Sequence, residues 1–381
     1  MAPIDAELWE RARCMDPTIR VAPRHHAVLA QKRVDPVPYT RAAMFRRMAR
    51  REIGIYRGVP VLVDCPRGTT TREELIDAFS HRFPRRETSR VQVGRQHALT
   101  RLPVREIMRR WLRGRSIVGV TDLHIRDTQI EKLIDTDALS DFSTLILGSE
   151  DLARQEMMTL VIASPGNVTD SHSDDPDGTN HCFSGCKLWL VWDVFEGMAA
   201  GLEDVEREDV EGSARFDMAR FLSLASSRWF LVSTGDTLFL PGSLTHKVLT
   251  MESYLGVGSF HIGLPGCLDT FTRWLHHGPL WSIDDPRREN AGLVDEAVEI
   301  TLDVVRRARR GSERLRDRFG YDWLSESHRV WLRKTTREVR ESALRHPAFA
   351  KLVALARSSP RPSAAPCTPA RFPEAAAGAP S

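Results

Sequence analysis

The chain has 381 residues, 41% of them hydrophobic and 28% charged, with a net charge of +3. That length buries a sizeable core in one large elaborated domain or in two modest ones. No apolar run approaches the ~20 residues of a membrane span, and MAPIDAELWERARCMDP has no basic region ahead of an apolar stretch, so an intracellular protein without membrane contact is expected.

The first fifty or so residues read as irregular and then helical, ending in the basic run Met44 to Glu52. VPVLVDC (59–65) has the β-branched character of a strand, and the turn residues Pro66, Arg67 and Gly68 follow it. Thr71 and Glu74 form a capping box ahead of the helix REELIDAFSHRF. A second helix, VREIMRRWLRG, is closed by Gly114, and SIVGVTDLHI is the next strand. MMTLVIAS, CKLWLVWDV, RWFLVSTGDTLFLP and YLGVGSFHI are short apolar runs broken by Gly, Pro, Asp and Ser, the spacing of a β-sandwich or barrel. The insertion that begins at EGMAAGLEDVEREDVEG is acidic and then helical. After Pro265 the pattern turns helical: Val294, Ala297, Val298, Thr301, Val304, Val305 and Ala308 trace one apolar stripe. The tail from Ser358 is rich in Pro, Ala and Ser and is expected to be disordered.

The six cysteines show no CxxC pair, so neither a disulfide framework nor a structural zinc site is expected. Only Cys182 and Cys186 lie close together, and on one strand they would share a face as core packing. Contact with nucleic acid or chromatin rests on three arginine clusters, because the net charge alone is too small to argue for it. These are Arg46, Arg47, Arg50 and Arg51; Arg109, Arg110, Arg113 and Arg115; and Arg306, Arg307, Arg309 and Arg310. In helical stretches such clusters usually form a solvated face.

Chemistry concentrates in NVTDSHSDDPDGTNHCFSGCKLWLVWD and in GDTLFLPGSLTHKV. His172 and Asp174 are two apart, so on a strand both point to the same side. An imidazole and a carboxylate there supply two ligands to one metal, and His246, after the strand TLFLP, is placed to supply the third. Two histidines and one carboxylate on one face of a metal leave the opposite positions open, as in non-haem Fe(II) oxygenases. Lys187 sits in an apolar strand between Cys186 and Leu188, and a lysine that points inward needs an anion. The distal carboxylate of 2-oxoglutarate, with a hydrogen bond from Thr169, fits that need, and O2 then takes the remaining metal position. His181 and His261 are alternative ligands. Asn180 either touches the co-substrate or serves the turn DPDGTN. Trp189 and Trp192 read as core.

At these positions the sequence resembles the JmjC family of 2-oxoglutarate oxygenases. Thr169, His172, Asp174, Gly185, Lys187, Trp189, Gly235, Asp236, Leu238, Phe239, Pro241 and His246 fill the places of that family's pattern. The resemblance runs from about Val59 to Phe260 and is nearest to the histone-lysine demethylase branch that carries PHD or CXXC fingers. It implies a double-stranded β-helix (a cupin-like jelly roll) over 146–265. An α/β segment (56–145) and an N-terminal helical extension (1–55) precede it, and a helical region (266–357) and the tail (358–381) follow. It also implies Fe(II), 2-oxoglutarate and O2 as cofactor and co-substrates, and the nucleus ahead of the cytoplasm. The substrate is then a methyl-lysine in a basic protein segment, which the acidic run Glu203 to Glu211 would attract. Three features depart from the branch. No finger can be built from these cysteines, Thr159 stands where the branch tends to have Tyr, and Gly258, Ser259 and Phe260 lack the Asn of its GGNF signature. Hydroxylation of another protein side chain or of a small molecule therefore stays open, as does a non-catalytic cupin-like scaffold. The oligomeric state is not legible.

Overall fold

A computed structural model describes residues 6–63, 88–93, 99–114, 118–125, 130–135, 137–140, 158–174, 176–202, 216–277, 290–311 and 323–358. The turn at 66–68, the capping box of Thr71 with its helix, Arg115, the acidic run 203–211 and the tail from 359 lie outside the described residues.

In chain order, α1 (Ala6–Met15) and α2 (His26–Lys32) lead to β1 (Val37–Pro38), α3 (Arg41–Arg50), β2 (Gly54–Arg57) and β3 (Leu62–Val63). Next come β4 (Thr88–Val93), β5 (Leu99–Pro103), α4 (Val104–Arg113), β6 (Val118–His124), β7 (Ile134–Asp135) and α5 (Asp137–Ser140). Four strands then follow closely: β8 (Met158–Ala163), β9 (Val168–Asp174), β10 (Asp177–Ser184) and β11 (Cys186–Asp193). Beyond α6 (Val194–Ala199) and α7 (Met218–Ser223) lie β12 (Arg228–Ser233), β13 (Asp236–Leu240), β14 (Leu244–Thr250) and β15 (Tyr254–His261). Helices α8 (Cys267–His277), α9 (Asn290–Arg309), α10 (Trp323–Lys334), α11 (Arg337–Ala343) and α12 (Pro347–Arg357) close the described chain.

The strands form a nine-stranded sheet, β1-β2-β13-β10-β15-β8-β6-β4-β5, a four-stranded sheet, β12-β11-β14-β9, and the small pair β3-β7. All pairings are antiparallel except β1 with β2, which makes the large sheet mixed. The alternation along each strand separates two faces. Trp189, Val191, Phe230, Val232 and Val248 of the small sheet meet Val161, Ala163, Cys182, Leu238, Leu240 and Tyr254 of the large one in a shared core. The two sheets therefore pack face to face, as in a β-sandwich.

The outer faces are covered. Leu188, Leu190, Trp192 and Leu249 lie under α1, α2 and α7 through Leu8, Trp9, Leu29 and Phe221. Leu160, Ile162, Phe239 and Val257 lie under α3 and α4. The helices α8 to α12 share a separate core, in which Val294, Ala297, Val298, Val304, Val305 and Ala308 are buried as the apolar stripe requires.

Two departures from the sequence expectation matter. The N-terminal segment is helical from Ala6, because Leu8, Trp9 and Ala12 have a sheet to cover. Arg51 does not join a solvated face. It ends α3 in the left-handed conformation (φ 55°), with its guanidinium buried between Asp177 of β10 and Asp269 of α8, 3.2 Å from the latter. Burial pushes the Asp269 carboxyl up, but Arg273, Arg51 and Lys334 beside it outweigh that and hold it below its ordinary range. Arg46, Arg50, Arg109, Arg113, Arg307, Arg309 and Arg310 are exposed.

Candidate metal centre

The site is built on the pairing of β9 with β14. His172 stands directly opposite His246, and Asp174 opposite Leu244. His246 is in turn opposite Val191 of β11, which faces the core between the sheets. The two imidazoles are thereby aimed at one point on the inner surface, with ring centroids 4.1 Å apart. One ligating atom each from His172, Asp174 and His246 lies within 4.8 Å of the others, so this cluster could hold a metal ion. The His246 Nε2 to Asp174 Oδ2 separation is 3.7 Å. Two ligands at ~2.1 Å from a metal and at right angles to each other stand about 3 Å apart, so a small inward adjustment closes this set on an ion.

Backbone carbonyls fix which nitrogen is presented. His172 Nδ1 lies 2.8 Å from the Asp170 carbonyl oxygen, and His246 Nδ1 lies 3.2 Å from that of Leu244. A carbonyl only accepts, so each Nδ1 must carry the proton, and each Nε2 keeps the lone pair a metal requires. Burial, with His172 and Lys187 nearby, holds His246 well below the ordinary histidine value, hence neutral. Burial raises the Asp174 carboxyl, although about a third of its side-chain surface stays exposed.

Thr169 and His172 are three residues apart, an odd spacing that would put them on opposite faces of a regular strand. The register shifts between them: Val248 is opposite Thr169, while His246 is opposite His172. One extra residue in β9 therefore forms a bulge, and both side chains face inward. Behind the bulge Lys247 points outward and bonds Asp170 at 3.0 Å and Asp16 at 2.9 Å, pinning α1 to the back of the ligand strands.

Lys187 is 3% exposed on the inner face of β11, in line with Trp189 and Val191. No carboxylate pairs with its ammonium among the described residues, and burial pushes it down to about 8. Its Nζ lies 4.5 Å from the centre of the Tyr254 ring, across the core. Asn180 is not in a turn, since β10 runs through it. Its side chain faces the same interior beside Leu238, and its Oδ1 accepts a hydrogen bond from the Tyr254 hydroxyl. Thr159 and Gly258 are paired on that face, where Gly258 leaves room next to the Asn180 Nδ2. Trp189 lies 5.2 Å from His246, ring to ring.

The alternative ligands are elsewhere. His181 lies on the opposite face of the large sheet, 2.7 Å from Thr237 Oγ1, and burial brings it down to about 4. His261, on that same face opposite Asp177, is fully buried and lies at about 3 for the same reason. Cys182 and Cys186 occupy two strands, because the chain turns between them at Gly185 (φ 96°). Trp192 is core, as expected. Sequence reasoning missed Tyr254, although its strand also carries Gly258, Ser259 and Phe260, because nothing local to the strand tells that its ring reaches Lys187. In comparison with known proteins, the chain matches no family model and no curated protein sequence. No helix among the described residues is long and apolar enough to cross a membrane.

Proposed function

We propose that the protein is an Fe(II)- and 2-oxoglutarate-dependent oxygenase of the JmjC kind, its two sheets forming a double-stranded β-helix around the site. The observation that carries this reading is one interior surface holding both a metal-ligand triad and a buried lysine with which no carboxylate pairs among the described residues. Two imidazoles, each presenting Nε2, and one carboxylate would suit Fe(II) and leave coordination positions for other ligands. Lys187 and Val191, the neighbour of His246, are four residues apart on β11, roughly 13 Å along the strand at ~3.3 Å per residue. A lysine side chain and a five-carbon diacid together bridge such a gap.

Each residue then has a role. His172, Asp174 and His246 hold the metal, and the carbonyls of Asp170 and Leu244 keep the imidazoles in the ligating tautomer. Lys187 pairs with the distal carboxylate of 2-oxoglutarate, helped by Thr169 and by the Asn180 amide. The apolar walls from Trp189 and Val248 exclude water from the reacting end. Bound Fe(II) with 2-oxoglutarate supplies the oxidation, in which O2 and the keto acid yield succinate, CO2 and one oxygen atom inserted into a substrate C–H bond. If that carbon is an N-methyl group, the hydroxylated product falls apart to formaldehyde and the demethylated amine.

A second substrate reading has its own observation. Thr159 is buried next to the bare Cα of Gly258, so at this point the wall is lined by small groups where an aromatic ring would hold a methylated ammonium. Hydroxylation of another protein side chain or of a small molecule fits that wall. The test is succinate formation by the purified protein with Fe(II), ascorbate and 2-oxoglutarate, first alone and then with mono-, di- and trimethyl-lysine peptides. Succinate coupled to formaldehyde supports demethylation, while succinate without methyl loss on any peptide supports the second reading. Asp174→Ala should abolish turnover and weaken Mn(II) binding by ~100-fold or more. Full activity in that variant would remove the triad from the chemistry, while no succinate from the wild type under any of these conditions would leave a non-catalytic scaffold.

A further inference from the structure

Tyr254 shares this interior surface with Lys187 and Asn180. It is fully buried at the start of β15, opposite Ala163 of β8, so its ring projects into the core between the sheets. Its hydroxyl lies beside the Cys182 thiol, and two further contacts define its place. The ring lies beneath the Lys187 ammonium, with Nζ 4.5 Å from its centroid. Its hydroxyl donates to Asn180 Oδ1.

The two contacts complement each other chemically. An aromatic face holds a cation without neutralising it, so Lys187 keeps its charge for an incoming anion. A carboxylate in the same place would satisfy the ammonium and close the site to that anion. A phenol has one proton, and donating it to Oδ1 turns the Asn180 Nδ2 away as a donor. That nitrogen sits beside Gly258, where an added Cβ would meet it at 3.5 Å. Tyr254 also needs room of its own: a Cβ on Gly256 would come within 2.7 Å of the ring and 2.9 Å of the hydroxyl. Burial raises the phenol well above its ordinary value, which keeps it a neutral donor.

We infer that Tyr254 is a positioning residue for the co-substrate subsite, holding the Lys187 ammonium and the Asn180 amide so that both face one carboxylate. The inference rests on the proposed 2-oxoglutarate site and names a residue through which that site works. Tyr254 does not touch the reacting atoms, so it acts on co-substrate affinity and leaves the chemical step and the metal alone.

The experiment measures binding of 2-oxoglutarate by calorimetry on the full-length Mn(II)-loaded protein, which does not turn over, together with Mn(II) affinity and thermal stability. Wild type is compared with Tyr254→Phe and Tyr254→Leu. The phenylalanine variant keeps the ring and loses the donor, and the expected weakening is about three- to tenfold. The leucine variant loses both, and the expected weakening is about tenfold beyond that. Mn(II) affinity should stay within about twofold of wild type, because Tyr254 holds none of the three ligand side chains. With Fe(II) and O2, KM for 2-oxoglutarate should rise while kcat is kept. A purely structural tyrosine would lower thermal stability in both variants and leave the 2-oxoglutarate affinity unchanged. That result, in a wild type that binds 2-oxoglutarate, overturns the role of Tyr254 alone. Absence of binding in wild type overturns the co-substrate reading, and this inference with it. The phenylalanine variant removes one oxygen atom, so it keeps the test decisive if the leucine variant does not fold.

Discussion

Lys187 is where desolvation and function are tied most directly. Its ammonium, 3% exposed and pushed down to about 8 by burial, lies against the Tyr254 face with no carboxylate beside it among the described residues. Lys187→Ala should raise the 2-oxoglutarate requirement by about 2–5 kcal/mol, thirtyfold or more, with metal affinity nearly unchanged. An unchanged KM in that variant would hand the anion to another cation. The sign of the pH dependence follows from the lowered value: the side chain is charged below about pH 8 and neutral above it. The kcat/KM for 2-oxoglutarate should therefore hold up to about pH 8 and fall beyond it, a limb that Lys187→Arg should displace to higher pH. At this scale the sequence was informative because ligand spacing is local. His172 and Asp174 share a face by alternation alone, and an inward lysine announces itself among leucines. The partners of Lys187 were not legible, because Tyr254 reaches it across two sheets.

Elements were legible where local chemistry decides them. Gly114 closes α4 at φ 61°, and a Cβ added there would meet nothing within 4 Å, so Gly114→Ala meets strain alone. The cost should be about 1 kcal/mol, seen in chemical denaturation, with the site unaffected. Gly185 differs, since a Cβ there would lie 2.2 Å from the Ser253 carbonyl oxygen. The same local rules found β8, β11, β12, β13 and β15 from their apolar runs, and α9 from its stripe. They did not find β10, whose DGTN looks like a turn and becomes a strand through its pairing with β13 and β15. Nor could they find the bulge in β9, which exists only relative to the register of β14. The helical extension expected over 1–55 already begins at α1, where the local reading was irregular, because what stabilises that helix is the sheet beneath Leu8 and Trp9.

Across the whole molecule, Arg51 joins three parts that are far apart in sequence: the end of α3, β10 of the large sheet and α8 at the start of the C-terminal helices. Removing the cation would leave two buried carboxylates facing each other. Arg51→Ala should cost about 3–5 kcal/mol in unfolding experiments. Because the native Asp269 lies below its ordinary value, its contribution is present at neutral pH and lost as pH falls through the acid range. The variant, lacking the pairing cation, should lose less on acidification than wild type does. A wild-type acid profile in Arg51→Ala would show that the pairing contributes little. The ligand triad has a whole-chain consequence as well. His172 and Asp174 lie on β9, yet the strand that completes the set, β14, follows only after β10 to β13 have been made. During synthesis the emerging chain therefore holds two ligands long before the third, and loop closure must precede capture of the ion. If the proposed site takes up its ion, uptake would mark the docking of β14 on β9 ahead of β15, and its rate during refolding would time that step.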